Sequence, residues 1–334
     1  MASLSANIRS HASCWMLVSR RLRLVSMCGA ISLRFLAVLP KRGPMPEGDT
    51  IYRAARALQK ALGGKVVTAF ETGLAKLASV NDETPLVGRT VEKVEARGKW
   101  CLIFFSGDLI LVTHMLMSGT WHIYKTGEKW WQPKNRMRAA ITCGDYQAVA
   151  FNVPIAEFYT ARSLERNSQV PGLGPDVLAD EFSIEAGLQA LRQRAASHPT
   201  DEIAVVLLNQ RVLAGLGNVY KSEVAFTAAV NPFRAMSTIT EREMITMIEA
   251  AHRYMKANVL DGSGDGVVTY VGNRRTTHSM DSSDRLWVYR RQGKECRRCG
   301  ASILMRKQGE QARSTYWCPS CQPWRGAEAE ASQG

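Results

Sequence analysis

Two close pairs of cysteines near the C-terminal end constrain the fold more than any other feature of the sequence. Cys296 and Cys299 form the first pair, Cys318 and Cys321 form the second, and 18 residues separate the pairs. This spacing is typical of a tetrahedral zinc site in which all four ligands are thiolates. Because no ligand position stays open for catalysis, we expect one structural Zn²⁺ that holds together a hairpin too small to form its own core.

The hairpin between these cysteines is basic, which suits it to phosphates or to an exposed base. Its cationic residues are Arg297, Arg298, Arg306, Lys307 and Arg313. The other four cysteines are scattered singly along the chain. Since the sequence has no convincing secretory signal, the paired spacing favours metal over disulfides.

The segment behind Pro46 has the pattern of one amphipathic helix followed by a series of short strands. Apolar residues recur at helical spacing over 51–62, with Asp49 and Thr50 as candidate N-cap residues and two glycines at 63–64 as the stop. The segments behind it are rich in Val, Ile, Phe and Trp and are separated by turn residues, which predicts an antiparallel sandwich or barrel. The predicted strands are 65–70, 90–95, 100–105, 109–113, 119–124, 137–143 and 147–151.

After residue 151 the pattern changes to helical periods. A Pro- and Gly-rich stretch at 171–175 places an interdomain linker near 160–176. Helices are predicted at 183–195, 203–209, 219–228 and 241–259, and the Gly- and Ser-rich segment 261–284 predicts mobile chain. The predicted fold class is therefore α+β and multidomain.

The net charge of +13 favours polyanionic partners such as nucleic acid or an anionic membrane. Residues 1–44 hold seven basic and no acidic residues, which leaves +6 for the rest of the chain. Their apolar runs are far shorter than the ~20 residues that a membrane span needs. This leader resembles a transit peptide, but an upstream reading frame joined by a wrongly chosen start codon would look similar. We expect it to be absent or removed.

Pro46 has a chemistry that depends on where the mature chain begins. Inside a chain its nitrogen is an amide without a nucleophilic lone pair. If translation starts at Met45 and the methionine is removed, Pro46 becomes a secondary amine, and α-amino groups titrate near ~8. Attack of this amine on a sugar C1′ gives a cationic iminium that withdraws electrons from C2′ and favours elimination of the 3′ phosphate, so one nucleophile can release a base and break the strand. Glu47 would supply protons or polarise the ring oxygen. Alternatively, the segment 46–49 is an ordinary turn at a helix start.

Three further segments carry candidate binding residues. Gly215 and Gly217 lie between two helical stretches and let the backbone turn tightly while its amides approach a phosphate, with Asn218 and Lys221 as side-chain donors. Lys99, between two strands, could reach a phosphate or act as a general acid. In the segment 114–119, exposed Leu116 and Met117 could wedge into a duplex and hold a base flipped out, although core packing would give the same pattern.

Six motifs together resemble the formamidopyrimidine-DNA glycosylase and endonuclease VIII family. The resemblance runs from Met45 to about Gln322. In chain order the motifs are Pro46-Glu-Gly-Asp, Arg97-Gly-Lys-Trp, His114-x-x-Met-Ser-Gly119, Leu173-Gly-Pro-Asp176, Ala214-Gly-Leu-Gly-Asn218 and Arg313-Ser-Thr-Tyr-Trp-Cys-Pro-Ser-Cys321. The first motif and the loop 115–118 look closer to the endonuclease VIII side, whose members remove oxidised pyrimidines.

The resemblance implies a role for each matching residue. Pro46 would be the Schiff-base nucleophile, Glu47 the proton donor, Lys99 the proton donor for strand cleavage, Arg313 the zinc-finger arginine that grips phosphates and supports δ-elimination, and Asn218 the phosphate contact of a helix-two-turn-helix motif. The implied domains are a catalytic antiparallel β-sandwich with a flanking helix at 45–165, a helix-two-turn-helix domain at 177–290 and a zinc finger at 291–323. DNA would lie in the cleft between the first two.

The predicted protein is a bifunctional DNA glycosylase and AP lyase of base excision repair that acts on damaged double-stranded DNA. We expect a monomer in the cytoplasm, associated with the nucleoid and not with a membrane, and import into an organelle by the leader is the minor alternative. If Pro46 is not freed, the alternative function is a zinc-dependent protein that binds lesions or bent DNA without cutting.

Overall fold

The structure is a computed structural model that describes residues 46–166, 170–260, 276–277 and 285–324. Its first half is a β-sandwich with a helix at its start. The elements are α1 (Gly48–Leu62), β1 (Ala69–Thr72), α2 (Ala75–Glu83), β2 (Val91–Arg97), β3 (Trp100–Phe105), β4 (Leu109–His114), β5 (Thr120–Lys125), β6 (Met137–Cys143), β7 (Tyr146–Phe151) and β8 (Ile155–Tyr159).

The strands form two four-stranded antiparallel sheets, with the orders β1-β6-β7-β5 and β2-β3-β4-β8. Alternate side chains of each sheet point inward, and α1 packs its apolar side into the same core. Ile51 and Leu58 of α1 are fully buried there with Ile103 of β3, Leu111 of β4 and Ile141 of β6. The core thus fixes α1, and with it the segment that precedes it, against both sheets.

The second half is helical and ends in a hairpin. Its elements are α3 (Ala161–Arg166), α4 (Ile184–Ser197), α5 (Ile203–Val206), α6 (Asn218–Thr227), α7 (Glu241–Leu260), β9 (Leu304–Gln308) and β10 (Arg313–Trp317). Leu188, Leu191, Tyr220, Met247 and Met255 belong to a second core between α4, α6 and α7. Strands β9 and β10 pair antiparallel, and β10 packs on α6. None of the helices within the described residues is long and apolar enough to cross a bilayer.

The α+β architecture agrees with the sequence prediction, with several local corrections. Helix α1 begins at Gly48 with Glu47 as its N-cap, so the predicted caps Asp49 and Thr50 lie inside the first turn. Helix α5 ends at Val206 instead of 209, because the chain continues in turns. In the predicted strand 65–70 only the last two residues pair, in β1, while Val66 makes an isolated bridge to Thr90.

Three elements were missed by the sequence prediction: α2, α3 and β8. Helix α3 occupies part of the predicted linker 160–176. The predicted mobile segment 261–284 lies outside the described residues except at 276–277. The leader 1–44 also lies outside them.

Candidate functional site

Two glycine-containing segments, far apart in sequence, meet backbone to backbone at the start of α1. The Gly48 amide donates a hydrogen bond to the Gly215 carbonyl at 2.8 Å. A Cβ atom on Gly48 would lie 2.7 Å from Gly215 Cα, and Gly215 itself has a φ of +96°, a left-handed conformation that favours glycine. This close approach holds the segment of Pro46 and Glu47 beside the N-terminal end of α6.

Glu47 spans the two halves of the described chain. Its side chain is fully buried. Oε1 accepts a hydrogen bond from the Val219 amide at 2.8 Å and Oε2 accepts one from the Tyr220 amide at 3.4 Å. These amides belong to the first turn of α6, where backbone N–H groups lack helical partners and the helix dipole favours negative charge. A Cβ on Gly217 would lie 2.3 Å from Glu47 Cδ, so this carboxylate fits only against glycine.

Pro46 is half-buried and directly precedes this anchored carboxylate. Behind it, the Asp49 carboxylate accepts a hydrogen bond from the Tyr220 hydroxyl at 3.1 Å and lies 3.5 Å from the guanidinium of Arg53. The start of α1 is therefore joined to α6 through three side chains as well as through the glycine contact.

Lys99 lies in the turn between β2 and β3, directly behind Gly98, and this turn reaches the same glycine segment. Gly98 has a φ of +59°, and a Cβ there would lie 3.2 Å from Ala214 Cβ and 3.6 Å from the Gly215 nitrogen. The buried carboxylate of Asp176 accepts the Gly98 amide at 2.6 Å. Burial raises the pKa of Asp176, while the hydrogen bonds from backbone amides lower it. Gly98, which precedes Lys99, and Gly48, which follows the segment of Pro46 and Glu47, thus both approach Gly215.

His114 shapes the loop between β4 and β5. Burial, followed by the positive charge of Lys99, lowers the pKa of His114 to about 4, so the imidazole is neutral at pH 7. Its Nδ1 accepts the Leu116 amide at 3.0 Å, and its ring packs edge-on against Trp100. Leu116 and Met117 follow at the tip of the loop, 45% and 61% exposed, with a φ of +45° at Leu116. Their exposure excludes the core-packing alternative.

The hairpin of β9 and β10 brings Arg313 to α6. Asn218, the first residue of α6, is nearly buried and its Nδ2 donates to the Ser314 carbonyl at 3.0 Å. Arg313 is half-buried, and its guanidinium donates two hydrogen bonds to Oε1 of Gln311, at 2.9 and 3.1 Å. The structure therefore brings the predicted residues of the hairpin and of the helix-two-turn-helix segment together on one helix end.

Lys221 lies one turn further along α6 and is fully buried. Burial, followed by the positive charge of Arg313, lowers its pKa to about 7, whereas the carboxylates of Glu47 and Glu202 raise it. The lysine that was predicted as a side-chain donor to a phosphate is thus an interior residue of the site.

The four predicted metal ligands form one cluster. The Sγ atoms of Cys296, Cys299, Cys318 and Cys321 all lie within 4.8 Å of one another. The Cys296–Cys321 and Cys299–Cys318 separations are 3.8 and 3.4 Å. Tetrahedral zinc with Zn–S bonds of ~2.3 Å requires sulfur atoms roughly 3.8 Å apart, so the cluster fits a single metal ion. Gln322 ties it to the helical core by donating to the Val230 carbonyl at 2.7 Å.

Sequence reasoning missed two buried carboxylates that organise this region. Asp176 belongs to a sequence motif that predicts no role for it, yet its carboxylate fixes the turn that carries Lys99. Glu223 of α6 accepts the amides of Trp287, Val288 and Tyr289 at 2.8–2.9 Å, which anchors the chain ahead of the cysteine cluster to α6. A single Glu in a helix gives no sequence signal for such a contact.

The comparisons with known proteins identify the family. Residues 45–154 match the model of the formamidopyrimidine-DNA glycosylase N-terminal domain, and residues 173–269 match that of the formamidopyrimidine-DNA glycosylase H2TH domain. The chain is 36% identical over 281 residues to a probable endonuclease 8 2 of Streptomyces coelicolor, covering 83% of this chain and 94% of that one. It is 32% identical over 281 residues to the DNA-(apurinic or apyrimidinic site) lyase Nei2 of Mycolicibacterium smegmatis, covering 83% and 99%.

A solved structure supports the fold. The complex of Lactococcus lactis Fpg with abasic-site DNA superimposes with a TM-score of 0.68 at 21% identity, covering 84% of this chain and all of that one. Fold and site thus define a DNA glycosylase of the helix-two-turn-helix type with AP lyase activity. The chain belongs to the formamidopyrimidine-DNA glycosylase and endonuclease VIII family, on the endonuclease VIII side. The predicted family, fold class and enzyme class are confirmed.

Proposed function

We propose that this protein removes oxidised bases, with oxidised pyrimidines favoured, through a Schiff base on Pro46 and then cleaves the strand by β,δ-elimination. The observation that carries the proposal is the anchoring of Glu47, next to Pro46, on the first turn of α6. A nucleophile and a proton donor need fixed relative positions to act on one sugar. Pro46 and Glu47 are adjacent in the chain and anchored together.

The proposed reaction begins when the Pro46 amine attacks C1′ of the damaged nucleotide. The N–C1′ bond forms, the bond from C1′ to the base breaks, and the base leaves with a proton supplied through Glu47. The nitrogen proton is then transferred to O4′ and the C1′–O4′ bond breaks, which opens the sugar ring and gives the iminium at C1′. This iminium acidifies C2′. Removal of a C2′ proton expels the 3′ phosphate, and a second elimination expels the 5′ phosphate. Lys99 supplies protons for strand cleavage, and Arg313 binds phosphate during the second elimination.

The remaining residues would hold the DNA. Damaged double-stranded DNA is the proposed partner of a monomeric enzyme, with Asn218 and Arg313 on a backbone phosphate and Leu116 and Met117 as the wedge. The exposure of the two wedge residues supports this role. The metal of the four cysteines is proposed to be Zn²⁺, which would hold the hairpin that presents Arg313 and supply no chemistry of its own.

Borohydride trapping on a duplex with one abasic site tests the nucleophile. Reduction freezes the iminium as a covalent adduct. The comparison uses the full 334-residue chain, a chain that starts at Pro46, and that shorter chain with Pro46→Ala. The shorter chain with Pro46 is expected to crosslink most strongly. Equal crosslinking by the uncleaved full chain, or none by any version, would overturn Pro46 as the nucleophile.

A second function follows from the residues ahead of Pro46. In the full chain the Pro46 nitrogen is an amide, which cannot attack C1′. If the leader stays attached, the protein would bind lesions without cutting them. Duplex binding by the full chain, without base release or strand cleavage, is the result that identifies this function.

A further inference from the structure

Two buried polar atoms on one face of α6 have no hydrogen-bond partner among the described residues. Lys221 is fully buried, and its Nζ has no hydrogen-bond partner within the described parts of the chain. The same is true of Oδ1 of Asn218, although Nδ2 of that residue is anchored on Ser314. Residues three apart in a helix share a face, so both atoms belong to the side of α6 that meets the hairpin. Buried polar atoms without partners are rare and costly, which points to a missing ligand.

The charges around Lys221 come from three other elements. Arg313 of β10 contributes positive charge, and Glu47 before α1 and Glu202 before α5 contribute negative charge. Glu202 already accepts Nε2 of Gln308 at 2.7 Å and lies 3.7 Å from the guanidinium of Arg306. Burial and Arg313 outweigh the two carboxylates and lower the pKa of Lys221 to about 7. A large share of the protein therefore carries a neutral amine here at neutral pH.

A bound phosphate would reverse this balance. Its negative charge next to Arg313 would offset the repulsion that the guanidinium exerts on an ammonium at Lys221. A nearby anion also stabilises the charged amine directly. Both effects raise the pKa of Lys221, so the amine would take a proton from the solvent when the phosphate arrives.

We propose that Lys221 is a positioning residue that gains one proton when a DNA phosphate binds between Asn218 and Arg313. The ammonium then holds this phosphate and the Glu47 carboxylate in fixed relative positions. This inference rests on the proposed function, because the phosphate belongs to the DNA substrate. It assigns to Lys221 a role beyond surface attraction: the lysine couples occupation of the phosphate site to the charge next to the proton donor.

The direction of the pH effect follows from the pKa near 7 in the free protein. Below pH 6 the amine is already protonated, so binding takes up little. Near pH 8 the free amine is mostly neutral, so binding takes up close to one proton. Affinity for DNA should then fall as the pH rises above 7, by up to about tenfold per pH unit for one linked proton.

Calorimetric binding of a duplex with one tetrahydrofuran abasic-site analogue tests the proposal. The analogue cannot form a Schiff base, and in the full zinc-loaded chain the amide nitrogen of Pro46 takes up no proton. Titrations in two buffers of different ionisation enthalpy, at pH 6 and pH 8, give the number of protons bound. The variants are Lys221→Arg, which stays charged, Lys221→Met, which cannot charge, and Lys76→Met, an exposed lysine of α2 as the matched control.

The expected result is an uptake of about one proton at pH 8 and about zero at pH 6 for the wild type and Lys76→Met. Both Lys221 variants should lose this uptake, and their affinity should change less than about twofold between pH 7.5 and 8.5. Thermal unfolding confirms that the variants fold. If both Lys221 variants bind DNA and still take up the proton, the inference is overturned but the proposed function is not. No DNA binding at any pH, either by the full wild-type chain or by the chain that starts at Pro46, overturns the phosphate site and with it the proposed function.

Discussion

The carboxylate of Glu47 accepts the amide of Val219 at 2.8 Å, across 172 positions of sequence. This hydrogen bond joins the segment ahead of α1 to the first turn of α6. Pro46 directly precedes Glu47, and Asn218 directly precedes Val219. The same contact therefore fixes the position of the proposed nucleophile relative to the proposed phosphate donor.

Replacing Gly217 by alanine should break the junction. The new Cβ would lie 2.3 Å from Glu47 Cδ, and the backbone φ of −131° is allowed for alanine, so the effect is steric. We expect a loss of about 1–3 kcal/mol in unfolding free energy and a strong loss of base release. Urea unfolding and a glycosylase assay measure the two effects.

Gly88→Ala is the control for the alanine change, because a Cβ there meets nothing within 4 Å despite a φ of +90°. It should cost stability through backbone strain alone and keep full activity. A Gly217→Ala variant as active as Gly88→Ala would show that the junction does not position Glu47.

Glu47→Gln should separate the two activities. Base release needs a proton donor, and loss of general acid catalysis costs about 100- to 10,000-fold in rate. An abasic site has already lost its base, so its cleavage should fall much less. Parallel assays on a duplex with an oxidised pyrimidine and on one with an abasic site compare the loss of base release with the loss of strand cleavage. Equal losses on both substrates would contradict the role of Glu47 in releasing the base.

His114 should make the fold sensitive to acid. Its pKa of about 4 lies below the 6.5 of an unfolded histidine, so the unfolded chain binds more protons between these values. The contribution of neutral His114 to the free energy of unfolding is complete above pH 6.5. It is lost as the pH falls towards 4, by up to about 3 kcal/mol. His114→Asn keeps an acceptor for the Leu116 amide and does not titrate. Urea unfolding at pH 7 and pH 4.5 should show a smaller acid loss in the variant, and parallel losses would contradict the prediction.

Removing one cysteine of the cluster should remove the metal. Cys318→Ala leaves three thiolates, whereas Cys143→Ala removes a buried thiol of the β-sandwich outside the cluster. Elemental analysis should find one zinc per chain in the wild type and in Cys143→Ala, and almost none in Cys318→Ala. We expect only Cys318→Ala to lose DNA binding, since the hairpin that carries Arg313 loses its support. Full binding by a metal-free Cys318→Ala chain would contradict this dependence.

Local patterns predicted the strands and helices whose apolar periodicity is strong. The bounds of β3 and β6 agree with the predictions, and the spacing of the cysteines located a cluster that closes in space. The sequence did not predict helix α2, because Leu77 is its one buried residue and the helix has almost no apolar face. Strand β8 begins directly behind Pro154 and gains its partner only through β4, a long-range pairing that a local pattern does not contain.

The sequence predicted which residues belong to the candidate site but not how they are arranged in space. Motif order identified Pro46, Lys99 and Asn218, yet nothing local indicates that Gly48 and Gly98 would both approach Gly215. The start of α1 was misplaced for the same reason, since a tertiary contact sets it. Likewise, the interior position of Lys221 depends on the hairpin of β9 and β10, which lies about 90 positions further along the chain.

The first turn of helix α6 contacts Glu47 at the start of the β-sandwich, and Asn218 of the same helix contacts Ser314 in the hairpin of β9 and β10. During synthesis Pro46 leaves the ribosome well before residue 317, yet the site around it is complete only when β10 has docked. A growing or partly unfolded chain would carry the proposed nucleophile without the proposed phosphate-binding residues beside it. The proposed phosphate-binding arrangement therefore forms only after the last hairpin of the chain has been synthesised.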